Sequence, residues 1–70
     1  MIIIDTKAFR RIVDPVPDST DEIFVAGLKE IYGIIHMIPI EPGVITTDWF
    51  VIFDSDTSEL MFRLTHGEML

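Results

Sequence analysis

The residues of this 70-residue chain most able to do chemistry are its carboxylates. Twelve Asp and Glu oppose five Lys and Arg, for a net charge of −7. Nine of the acids fall into two clusters without a base: Asp14, Asp18, Asp21 and Glu22, and then Glu41, Asp48, Asp54, Asp56 and Glu59. Carboxylates spaced along a rigid surface can occupy a channel lined with Lys and Arg, using charge-assisted hydrogen bonds and fast, salt-sensitive association. The plainer role of such charge is to keep a small domain soluble. The same charge opposes direct binding to nucleic acid or to an anionic membrane, so the expected partner is a basic surface.

The other reactive side chains form no recognisable catalytic set. Asp54-Ser55-Asp56-Thr57-Ser58-Glu59 opens like a calcium loop, but it lacks the Gly at the sixth position, and Thr65 stands where a bidentate Glu is needed. His66-Gly67-Glu68 hints at a metal or acid–base pair, while His36 lies in an apolar run. Neither His belongs to a ligand-spaced set. Ser19, Ser55 and Ser58 fall at expected caps and turns, and no GxSxG or glycine-rich phosphate loop is present. No catalytic residue, metal or cofactor is therefore expected. There is no Cys, Asn or Gln, which excludes disulfides, thiolate metal sites and amide side-chain recognition.

The chain has the apolar content to position these groups. It is 49% hydrophobic, whereas disordered acidic chains are apolar-poor. Seventy residues make one domain, residues 1–70, with a thin stability margin. The start MIIID has no basic n-region, and every apolar run is broken well short of the ~18 residues of a membrane span, so a cytoplasmic location is expected.

Residues 1–4 are compatible with an edge strand but too few to assign. Ala8, Phe9, Ile12 and Val13 recur at helical spacing after Asp5, a good N-cap, and Pro15 stops the segment, predicting a helix over 6–13. Ser19-Thr20-Asp21-Glu22 matches a capping box for a helix over 20–32, with Phe24, Leu28, Ile31 and Ile35 as its stripe and Gly33 as its stop. Beyond Gly33 the residues turn β-branched and aromatic. They predict strands over 34–38, 44–53 and 59–65, the last two forming a hairpin around 54–57. The expected fold is α+β, with helices on one face of a C-terminal three-stranded antiparallel meander.

That hairpin register pairs Phe53 with Ser58, Val51 with Leu60 and Trp49 with Phe62 on a core side. The outer side pairs Ile52 with Glu59, Phe50 with Met61 and Asp48 with Arg63. Phe50, Ile52 and Met61 then form an apolar patch among charges, like a binding hot spot with a polar rim; the alternative is that the N-terminal segment covers this face and both sides are buried.

In size, helix-then-sheet order and the acidic run over 41–59, the chain resembles the small acidic inhibitors that bacteriophages make against host nucleases and repair enzymes, among them anti-CRISPR proteins. The resemblance implies a phage-type, non-enzymatic inhibitor whose acidic face mimics DNA inside an infected bacterial cytoplasm. Its partner would be a basic nucleic-acid-binding protein such as the DNA-binding subunit of a type I CRISPR effector. The alternative from the residues alone is a small antitoxin, adaptor or homodimeric interaction module that works through Phe50, Ile52 and Met61.

Overall fold

Asp5 converts the chain from strand to helix. In the computed structural model, which describes residues 1–69, Ile2–Ile4 form strand β1 and Thr6–Val13 form helix α1. Between them, extended Asp5 accepts the Ala8 N–H at 2.8 Å, satisfying one of the amide donors a helix leaves free at its start. Helix α2 spans Asp21–Tyr32. Its cap is Thr20 rather than Ser19, since Thr20 Oγ1 accepts the Ile23 N–H at 3.1 Å. Gly33 ends it at φ 73°, donating its N–H back to the Lys29 carbonyl at 2.8 Å. The buried side of α2 is Leu28, flanked by half-buried Phe24 and Tyr32. Ile31 is exposed and Ile35 lies beyond the helix, so the expected stripe holds only in its first half.

Strands β2 (Ile34–Pro39) and β3 (Trp49–Phe53) follow, and helix α3 runs over Asp56–His66, with a 3₁₀ turn at Gly67–Met69. The sheet is three-stranded and antiparallel in the order β1-β3-β2. The fold is α+β as expected, but two strand assignments change. Residues 44–48 are not strand. Thr47 is buried and ties the β2–β3 loop together, accepting the Glu41 N–H at 2.8 Å and donating to the Asp48 carbonyl at 3.0 Å.

Residues 59–65 are helix, so the 54–57 hairpin and its cross-strand pairs do not form. Ser55 caps α3 by accepting the Ser58 N–H at 3.1 Å, Asp56 and Glu59 sit in its first turn, and Arg63 and His66 sit in its last. Asp56, Glu59 and Arg63 thus complement the helix dipole. The vacated place in the sheet is taken by β1, which pairs Ile2 with Val51, Ile3 with Phe50 and Ile4 with Trp49.

All three helices lie on one face of the sheet. Ile2, Ile4, Ile34, Val51 and Phe53 point into a core completed by Ala8 and Ile12 of α1, Val16, Leu28 of α2 and Phe62 of α3. Phe9 stacks on Trp49 with ring centroids 4.2 Å apart, and the Tyr32 hydroxyl donates to the Ile12 carbonyl at 2.9 Å, locking α2 to α1. The result is a slab of 31 × 27 × 17 Å. Its 17 Å thickness accommodates one sheet and one layer of helices.

Candidate functional site

The fold divides the acidic residues by element. Asp14 and Asp18 lie in the α1–α2 loop, Asp21 and Glu22 in the first turn of α2, Glu41 and Asp48 in the β2–β3 loop, Asp54 after β3, and Asp56 and Glu59 in the first turn of α3. The run over 41–59 is therefore no single row. Glu41 and Asp48 stand at one end of β3, and Asp54, Asp56 and Glu59 at the other, roughly 17 Å away at the rise of a five-residue strand.

Two of these carboxylates have local partners. Glu59 is half-buried and accepts a hydrogen bond from the Met1 ammonium, and its Oε2 is 3.7 Å from Arg63 Nε. The bond from the ammonium, with the charges of both groups, holds its carboxyl below the usual range. Asp54 is also lowered, chiefly by a hydrogen bond from Ser58 and further by Ser55 and the charge of Lys29. The other candidates are exposed, with no ion pair among the described residues.

The outer face of the sheet carries a different arrangement. Phe50 pairs with Ile3 on one side and with Ile38 on the other, so Ile3, Phe50 and Ile38 form one row across all three strands. Ile52 beside His36 makes a second row, and the alternation of β2 extends the surface to Ile40. Ile3 is 53% exposed, Ile38 47% and Ile40 40%, while Phe50 and Ile52 are half-buried beneath them. No carboxylate, Lys or Arg interrupts these rows. The structure thus brings Phe50 and Ile52 of the expected patch together but not Met61. Met61 lies on α3, on the helical side, because residues 59–65 coil instead of pairing with β3. Sequence reasoning missed Ile3, Ile38 and Ile40. Their signal was the alternation His36, Ile38, Ile40 and the pairing capacity of residues 2–4.

A third feature is an open cleft of about 380 Å³ between the end of α2 and α3, bordered by Lys29, Tyr32, Asp54, Ser58, Met61 and His66. Burial raises the Tyr32 phenol above its ordinary value. His66 packs edge-on against Tyr32 at 5.6 Å and tilted against Phe62 at 5.1 Å. Glu68 instead borders a groove with Asp5, Lys7 and Arg11. The two members of His66-Gly67-Glu68 therefore do not converge. Ser55 and Ser58 bond each other at 3.2 Å, and among the described residues neither hydrogen-bonds an imidazole. Among the described residues no three His, Asp or Glu are placed to hold a metal ion, and no helix is long and apolar enough to cross a membrane.

Comparison with protein-family models, with curated proteins and with solved structures returned no match to this chain.

Proposed function

We propose that this chain is a non-catalytic interaction module that docks on another protein surface through the outer face of its sheet. The observation that carries this reading is the uncharged row Ile3–Phe50–Ile38 on a molecule whose net charge is −7. A contiguous exposed apolar patch rimmed by charge is the usual mark of an interaction site. Burial of its aromatic centre supplies affinity, while the surrounding carboxylates deter nonspecific association. A photo-crosslinker placed at Ile38 should capture a partner in native cells, and one placed at Glu22 on the helical side should not. The reverse pattern would refute the reading.

A second reading keeps the acids as the working surface: an anti-CRISPR-like inhibitor whose carboxylates enter a basic nucleic-acid channel. It is favoured by the exposure of eight of the nine candidates, all but Glu59. Replacing Asp48, Asp54 and Asp56 together with Lys should abolish such a complex, and salt should loosen the native one sharply. A face-docked complex should tolerate both.

A further inference from the structure

The partner of the outer sheet face can be narrowed, and this step rests on the first reading above. We infer that the face is covered by a second copy of this chain, making a two-fold β-sandwich with the helices outermost.

Several observations lead there. The sheet edges are closed to strand addition. The Ile40 N–H bonds the Asp48 carbonyl, so by the alternation of an antiparallel strand Ile38 and Ile40 turn their amides toward β3, while Met37 and Pro39 turn outward. Pro39 has no N–H to offer there, and a register shift between Ile34 and His36 disrupts the other half of the edge. The opposite edge, β1, is three residues long. Proline, bulges and short strands are the devices that blunt an edge. The face has no comparable protection.

The molecule as a whole also exposes more surface than its size requires. Its accessible surface of 4801 Å² exceeds the roughly 4,450 Å² of a compact monomer of its mass. At roughly 150–250 Å² for a large side chain, the exposures of Ile3, Ile38 and Ile40, with exposed His36 and half-buried Phe50 and Ile52, amount to roughly 300–600 Å² per copy. Two copies bury close to the ~1,000 Å² at which a specific interface begins. The dimer should therefore be weak and concentration-dependent.

The face is self-complementary. Phe50 sits centrally in its row, with one Ile to either side. A two-fold axis along β3 sets Phe50 against its counterpart and Ile3 of each copy over Ile38 of the other, the isologous arrangement of most homodimers. Packed sheets about 10 Å apart tolerate such a row of aliphatic and aromatic chains. A nucleic acid or an anionic bilayer is repelled by the charge of −7.

Charge sets a signature that separates a second copy from a basic partner. Two chains at −7 repel, so salt strengthens their association, whereas it weakens a complex with a basic protein. Sedimentation equilibrium of the full chain from about 5 to about 500 µM should show the mass rise from 8.0 kDa toward twice that value, with a lower dissociation constant at about 0.5 M salt than at about 0.05 M. Ile38→Asp buries an unpaired charge in the interface and should raise that constant at least about 100-fold with the circular dichroism spectrum unchanged. Leu64→Asp, on exposed α3, should leave it unaltered.

A chain that stays at 8.0 kDa throughout overturns the second copy as partner. If it nevertheless binds an apolar fluorophore, and Ile38→Asp removes that binding, the face remains a docking site for a different protein. A dimer broken by Leu64→Asp and indifferent to Ile38→Asp overturns both readings.

Discussion

Substituting alanine for Gly33 separates two costs that usually arrive together. Gly33 ends α2 at φ 73°, and Gly43 in the β2–β3 loop has φ 88°. Any L-residue in this region pays roughly 1–2 kcal/mol, offset by ~0.4–1 kcal/mol because alanine narrows the unfolded ensemble. A net cost of about 1 kcal/mol follows at either site. At Gly43 nothing more is added, because a Cβ there meets no atom within 4 Å. At Gly33 a Cβ would stand 2.5 Å from Ser58 Oγ and 2.6 Å from Ser58 Cβ. The hydroxyl can rotate, but the Cβ is fixed to the first turn of α3, so the helix must shift. Overpacking of this kind costs ~1–3 kcal/mol.

Gly33→Ala should therefore destabilise by about 2–4 kcal/mol and Gly43→Ala by about 1 kcal/mol. At ~4–8 °C per kcal/mol for a domain of this size, melting temperatures followed by circular dichroism separate the two clearly. A Ser58→Gly background removes the two closest atoms and leaves only the side-chain Oδ1 of Asp54 at 3.1 Å, which can swing aside, so in it Gly33→Ala should cost only about 1 kcal/mol. If Gly33→Ala matches Gly43→Ala to within about 0.5 kcal/mol, or costs the same in the Ser58→Gly background, the packing of α3 against the end of α2 is not as described.

Three further outcomes are expected. Thr20→Ala and Ser55→Ala should each lose about 1 kcal/mol in urea unfolding, and Ser19→Ala less than about 0.5 kcal/mol, since only the first two cap helices. The Glu59 carboxyl is depressed in the folded chain, so its stabilisation is present above its unfolded pKa and disappears as pH falls through the folded one. Glu59→Gln should be less stable than the native chain at pH 7, with the difference vanishing in strong acid. The Tyr32 phenol is raised, so its contribution is intact below its unfolded value near ~10 and lost as pH climbs past it. Alkaline melts should destabilise the native chain more steeply than Tyr32→Phe.

The helices α1 and α2 were legible because each carries its own punctuation: Asp5 and Pro15 around one, the Thr20 region and Gly33 around the other. Helix α3 was misread because Leu60, Phe62 and Leu64 alternate like a strand, although in the fold only Phe62 is buried and Leu60 and Leu64 are 56% and 73% exposed. Its punctuation was present in Ser55, Asp56 and Glu59, and Glu59, Leu60, Met61, Arg63 and Leu64 are good helix formers. Residues 2–4 could not be assigned locally, since a three-residue strand exists only through its partner. The same dependence hid half of the candidate site. Phe50 and Ile52 belong to a strand visible in sequence, but the row they complete needs Ile3 and Ile38, and which strands flank β3 is a tertiary fact.

The central strand of this sheet is the last of the three to be synthesised. Every inter-strand hydrogen bond involves β3, so a chain ending at Asp48 contains two strands with nothing to pair to. β2 can wait against α2, its neighbour in sequence, but joining β1 to β3 closes the loop from Ile4 to Trp49, an entropic cost met before any pairing repays it. Until β3 emerges and pairs with it, the run Ile34-Ile35-His36-Met37-Ile38 presents unpaired backbone on both edges, the condition under which short apolar segments associate wrongly. The strand order thus sets a kinetic window of vulnerability in folding that the finished slab, with its blunted edges, no longer displays.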